Sequence, residues 1–212
     1  MTAPGPGRAA DAPSEAANVE HLWLSTLQRL AAGVSHEMRN ALNGAAVNLE
    51  VVRSRATRDG VPASSLASYA GSASDQLESV IAIAEALITL NRAPLRPVTA
   101  ARIVDQLLAL IRPPLAANGG SARLVVEGEG VSDVPAEVAR LALAAALEAG
   151  AAAAAEHRSE LLCVVRPVEG TEVEITAGAS SLSLDETVRR LAADGGIGVR
   201  VDGGIRLSFR SK

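Results

Sequence analysis

His36 is followed at once by Glu37 and, one helical turn on, by Asn40, within Ser35-His36-Glu37-Met38-Arg39-Asn40-Ala41-Leu42-Asn43. On a helix, positions 36 and 40 share one face. An imidazole there with a carboxylate beside it is a competent nucleophile for phosphoryl transfer. The carboxylate can accept one ring N–H, which fixes the tautomer and leaves the other nitrogen free to attack. An amide one turn away can orient a water for the reverse, hydrolytic direction. Taken alone, an exposed His–Glu pair on a helix is also ordinary solvated surface, so the spacing leaves both readings open. A zinc-protease reading needs a second histidine at the fifth motif position, where Asn40 stands, and is discarded.

This chemistry requires a helix that holds His36 outward. From about Val19 to Ala56, the residues Leu24, Leu27, Ala31, Val34, Met38, Ala41, Ala45 and Val52 recur at intervals of 3, 4, 3, 4, 3, 4 and 7, with polar Asn48 in the last gap. That is a heptad stripe, and with Val34 and Met38 on its seam His36 falls at the position farthest from it. The stretch Arg58-Asp59-Gly60-Val61-Pro62 predicts a turn, with Ser64 or Ser65 capping the next helix. A second stripe follows at Leu66, Ala70, Ala73, Leu77, Val80, Ala84 and Leu87. Residues 18–93 therefore read as an antiparallel helical hairpin closed by Pro94 and Pro97, after a flexible tail over 1–17. One hairpin has an apolar face to cover. Pairing with a second copy as a dimeric four-helix bundle is the favoured solution, and packing on the rest of the chain is the alternative.

Residues 94–212 change texture to an α+β sandwich, a mixed sheet covered by helices. Helices are expected over 101–117, broken or kinked at Pro113-Pro114, over 135–156 and over 184–193. Strands are expected over 123–127, 161–168, 172–177, 198–201 and 205–209, with hairpin turns at Glu169-Gly170-Thr171 and Asp202-Gly203-Gly204.

The segment around His36 resembles the H-box of sensor histidine kinases, His-Glu-x-x-Asn/Thr-Pro-Leu on the first helix of a dimerisation and phosphotransfer hairpin. His36, Glu37, Asn40 and Leu42 match it, and Ala41 replaces the usual proline. The resemblance covers about Leu24 to Asn91. It implies that His36 accepts the phosphoryl group, Glu37 assists as acid/base, and Asn40 serves phosphatase activity. Without the proline, the helix below His36 is expected to run straight. The second half is similar in layout to that family's ATP-binding domain, with its chemistry gone. Leu141 and Ala145 stand where the family has two asparagines, the second of which holds magnesium. Thr176-Ala177-Gly178-Ala179-Ser180-Ser181 offers no carboxylate for adenine, and the nucleotide lid is missing. No bound nucleotide, metal or other intrinsic cofactor is therefore expected.

The remaining composition narrows the class. The 212 residues carry a net charge of −4 with a pI near 5.5, which argues against a nucleic-acid partner. No uncharged run of 18 apolar residues and no secretory signal layout is evident, so a cytoplasmic protein without membrane association is expected. Cys163 is alone and reads as core, His21 as solvated, and His157 as complementing a helix end. Asp194-Gly195-Gly196-Ile197-Gly198 follows a helix and enters a strand, the wrong context for a phosphate cradle.

Three readings follow, in order. The first is a histidine phosphotransferase exchanging phosphoryl groups through His36 with response-regulator receiver domains, which bring the Mg2+, under an upstream sensor kinase. The second is a pseudokinase acting as a response-regulator phosphatase. The third is a dimeric scaffold. An active, divergent sensor kinase ranks below all three.

Overall fold

A computed structural model describes residues 15–58, 60, 62–92, 99–130, 132–178 and 181–210. It is an α+β protein in which a long antiparallel hairpin, α1 (Glu15–Ala56) and α2 (Ala63–Leu90), precedes a five-stranded mixed sheet with helices. The sheet half runs α3 (Ala100–Ala117), β1 (Ser121–Val126), α4 (Ala136–His157), β2 (Glu160–Arg166), β3 (Gly170–Ala177), α5 (Glu186–Asp194), β4 (Ile197–Val201) and β5 (Ile205–Arg210). Strand order is β1-β2-β3-β5-β4, with β1 parallel to β2 and every other pairing antiparallel.

Alternation on β3 sets the two faces of the sheet. Thr171, Val173, Ile175 and Ala177 are buried under the helices, while Glu172, Glu174 and Thr176 face outward. Outside, Glu174 accepts hydrogen bonds from Arg206 at 2.8 Å and Arg166 at 2.5 Å, which hold its carboxyl below the usual carboxylate range. Inside, α4 supplies Ala139, Ala142, Ala144, Ala146 and Ala154, all buried, so that it lies close to the sheet. Gly150 marks the tightest point, because a Cβ there would sit 2.6 Å from Leu161 Cδ1 and 3.0 Å from Ile175 Cγ2. By length and composition α4 is apolar enough to cross a membrane, but here it is a core helix packed on β2, β3 and β5.

The hairpin and the sheet half share one core. Trp23, Leu30 and Val34 of α1 and Ile83, Ala86 and Leu90 of α2 cluster with Leu107, Leu110 and Ile111 of α3 and Leu143 and Leu147 of α4. Arg140 fastens the joint. Its Nη1 donates to Leu90 O at 2.7 Å and Arg92 O at 3.0 Å, and its guanidinium lies 4.0 Å from the centroid of the Trp23 ring. Burial pushes its pKa down, partly offset by Glu137.

Several expectations are corrected. From Val34 downward the expected seam turns inward, with Val34 and Ala45 buried and Met38, Ala41 and Val52 half-buried, but above it the buried residues are Val19, Trp23, Thr26 and Leu30, and Leu24 is 44% exposed. A straight helix drifts against a seven-residue repeat, and this stretch packs on α3 and α4. In α2 the buried residues are Ala73, Ile83, Ala86 and Leu90, whereas Ala70 and Leu77 of the expected stripe are not. Pro62 takes the N-cap position in place of Ser64 or Ser65, and the Ser65 hydroxyl donates back to Pro62 O at 2.8 Å. Pro113 and Pro114 do not break α3; they sit in its last turns, and Asn118 Nδ2 donates to Pro114 O at 2.8 Å. Helix α1 runs unbroken past His36, and it begins at Glu15, inside the expected tail. The rest of that tail, residues 1–14, together with Asp59, Val61, Pro94 and Pro97, lies outside the described residues.

Candidate functional site

Val34, fully buried, and Met38, half-buried, fix the rotation of α1 on either side of His36. That register leaves His36 and Asn40 exposed on one face, as their spacing predicts. Among the described residues neither side chain forms a hydrogen bond or an ion pair, so the imidazole is free for a partner.

Glu37 points elsewhere. It is half-buried and lines a groove of about 450 Å³ together with Asn40 and Ala41 of α1, Asp75, Gln76, Ser79 and Ile83 of α2, and the end of α3 at Pro113, Ala116 and Ala117. His36 stands outside that lining, one turn from Asn40, and no hydrogen bond joins its ring to Glu37. The structure thus brings Glu37 and Asn40 together and leaves His36 beside them.

Next to the groove, a Cβ on Gly44 would lie 2.4 Å from Gln76 Nε2, the far end of a flexible side chain, so an alanine there would displace the Gln76 amide. Asn48, the polar residue on the apolar seam, donates from Nδ2 to Gln76 Oε1 at 3.3 Å, and Arg55 lies 4.9 Å from the Tyr69 ring centroid. Sequence reasoning missed Asp75, Gln76, Ser79 and the α3 wall. Asp75 and Ser79, four apart on one helix, were the available signal, but their meeting with α1 and α3 is a tertiary event.

The two faces of the hairpin differ. Helical phase sets Glu37, Asn40, Asp75 and Ser79 on the groove side of the α1–α2 contact line. The same phase sets Leu42, Leu49, Leu77 and Ile81 on the opposite side, where they are 40–55% exposed.

In the sheet half, the α4 face carrying Leu141 and Ala145 meets the start of α1, and both residues also line a cavity of about 450 Å³ with Thr26, Arg29, Glu148 and Asp185. Val19 clusters with Leu141, Val188 and Leu191, while Leu22 and Ala145 pack against that cluster. Arg29 Nη2 binds Glu148 Oε2 at 2.8 Å across the same joint. Asp185 Oδ1 accepts from Thr187 N at 2.8 Å and Val188 N at 3.3 Å, which caps α5. No group of three His, Cys, Asp or Glu residues among the described residues could hold a metal ion. Ala179 and Ser180 lie outside the described residues.

The secondary candidates are structural. Cys163 is fully buried, and burial pushes its thiol up to about 12. Gly195 caps α5, and Gly196 turns the chain with φ 86°. His157 lies in the last turn of α4, and His21 is exposed on α1. No protein-family model matches this chain, and no curated protein matches it either.

Proposed function

We propose that the chain is a phosphorelay histidine phosphotransferase in which His36 exchanges a phosphoryl group with aspartates of response-regulator receiver domains. One contrast carries the reading: His36 is open to a partner, whereas Leu141 and Ala145 of α4 offer only apolar side chains, packed with Val19 and Leu22, where a nucleotide-binding domain would need ligands for magnesium. In the exchange, an imidazole nitrogen attacks phosphorus, the bond to the aspartyl oxygen breaks, and the carboxylate leaves on the receiver. The reverse reaction returns the group. The receiver brings the Mg2+, so the chain needs neither a nucleotide nor a resident metal. An upstream sensor kinase feeds the relay, and the setting is the cytoplasm.

The active form is a homodimer. Leu42, Leu49, Leu77, Ile81 and Ile88 are 40–55% exposed, more apolar surface than two helices need to show to water. A second copy covers this face as a four-helix bundle and leaves the groove side free. The sheet half, residues 94–212, is a degenerate ATP-binding-like sandwich that no longer binds nucleotide and braces the hairpin instead.

A second reading, a response-regulator phosphatase, is favoured by one observation: Glu37 and Asn40 line one groove while His36 stands outside it. A bare dimeric scaffold ranks third, and a divergent active kinase ranks last.

Purified protein is incubated with labelled ATP and, in parallel, with a panel of labelled phospho-receivers, with His36→Ala as control. Label moving from a receiver to His36, and never from ATP, is the expected result. Label arriving from ATP makes the chain a kinase. Receiver dephosphorylation that survives His36→Ala and is abolished by Asn40→Ala makes it a phosphatase. If nothing is labelled and no receiver is dephosphorylated, the scaffold reading remains.

A further inference from the structure

The cavity of about 450 Å³ lies where the N-terminal part of α1 meets α4 and the start of α5, away from His36. Its floor is apolar, with Leu22 of α1, Leu141 and Ala145 of α4 and Val188 of α5. Folded interiors hold few voids larger than a water molecule. This one persists because α4 presents alanines at 145 and 149, on one face, where longer side chains would reach across to α1. Its size falls within the range of small-molecule sites, about 300–1,000 Å³.

Hydrogen bonding around the mouth is one-sided. Arg29, the single cation among the described lining residues, is already engaged within the protein. Its Nη1 donates to Ser25 Oγ at 3.1 Å, and its Nη2 donates to Thr26 Oγ1 at 3.0 Å and Glu148 Oε2 at 2.8 Å. Asp185 uses Oδ1 to cap α5. Among the described residues Glu148 Oε1 and Asp185 Oδ2 accept nothing, so two carboxylate oxygens remain for an occupant. With two carboxylates against one arginine, the lining repels phosphates and favours a positively charged donor.

From this apolar floor and acidic mouth we propose that the cavity binds a small organic amine, a primary ammonium carried on a short apolar body, with Glu148 and Asp185 accepting from the head group. The inference is independent of the phosphotransfer reading. The occupant touches the anchored stretch of α1, where Arg29 lies two turns before His36, and it competes with Arg29 for Glu148, the bridge between α1 and α4. The site gives the chain a place for a chemical input at the joint of its two halves.

The test titrates phenylpropylamine into the isotopically labelled full chain and follows amide shifts, with phenylpropanol and phenylpropionate as probes that keep the body and change only the head. The amine is expected to shift the cavity-lining residues saturably, in the millimolar range of a fragment this small. The alcohol binds more weakly and the carboxylate does not bind. Glu148→Gln weakens the amine on the order of tenfold. Asp185→Asn keeps the cap on α5 and, being more exposed, weakens it about threefold. Ala145→Leu fills the floor and abolishes binding of both amine and alcohol; if that variant fails to fold, the two charge variants decide alone. Glu50→Gln, in the exposed pair with Arg53, leaves affinity unchanged. Absence of saturable shifts at the lining, a carboxylate that binds as well as the amine, ATP shifting the same residues, or affinity indifferent to both Glu148→Gln and Asp185→Asn overturns the proposal.

Discussion

N-terminal to His36, helix α1 buries Val19, Trp23, Thr26, Leu30 and Val34; C-terminal to it only Ala45 is buried, and Leu42, Val47 and Leu49 are 47–64% exposed. The first stretch packs against α3 and α4 as part of the common core, while the second lies chiefly along α2. One helix thus anchors at one end and presents at the other, with His36 near the changeover. Helical continuity lets the anchored end dictate the rotation of the free end. The register that exposes His36 is therefore set by residues such as Trp23 and Leu30, which lie in the core out of a partner's reach.

The sharpest way to break this comparison is to truncate the same residue type in both stretches. Leu30→Ala, in the core, is expected to cost about 2–5 kcal/mol of unfolding free energy, read from urea midpoints. Leu42→Ala, measured at protein concentrations low enough to keep single copies, is expected to change it by less than about 0.5 kcal/mol. At high concentration Leu42→Ala weakens self-association in sedimentation. Equal unfolding costs at both sites would abolish the distinction between anchor and overhang.

Two glycines of α1 sharpen it further. A methyl group added at Gly33 would meet nothing within 4 Å, so Gly33→Ala is expected to gain roughly 0.5–1 kcal/mol from helix propensity. Gly44→Ala meets the Gln76 amide and ends its bond with Asn48, which offsets that gain and leaves the thermal midpoint nearly unmoved.

The smallest effects come from the ion pairs. Glu148→Gln removes the Arg29 bridge between α1 and α4 and is expected to lose at most about 1 kcal/mol, an effect shrinking in high salt. Glu50→Gln removes only the exposed pair with Arg53 on the overhang and is expected to leave the denaturation curve unchanged at any salt concentration.

The hairpin and the mixed sheet are legible in the sequence because their signals are local: heptad spacing, strand alternation, and turns such as Asp202-Gly203-Gly204. The exposed placement of His36 and Asn40 follows from the Val34–Met38 seam alone. What escapes depends on which neighbour each stretch meets. A 3,4 spacing does not distinguish a helix that keeps one partner along its length from one that exchanges α2 for α3 and α4, so it favours Leu24 over Trp23 and Leu30. On α2, two apolar stripes lie side by side, and the expected set mixes them: Ala73 turns inward and Leu77 outward. The groove is illegible for a further reason. Its walls come from three helices, and no local pattern links Asp75 to Glu37 or Pro113.

The Arg140 joint has an experimental consequence. Trp23 is the single tryptophan of the chain, 3% exposed, and it lies against the Arg140 guanidinium where the hairpin meets the sheet half. Its emission colour therefore reports the seating of one half on the other, without a label and without perturbing the exposed face that carries His36. The protein contains its own optical gauge of whether a partner, on binding, loosens the brace or leaves it closed.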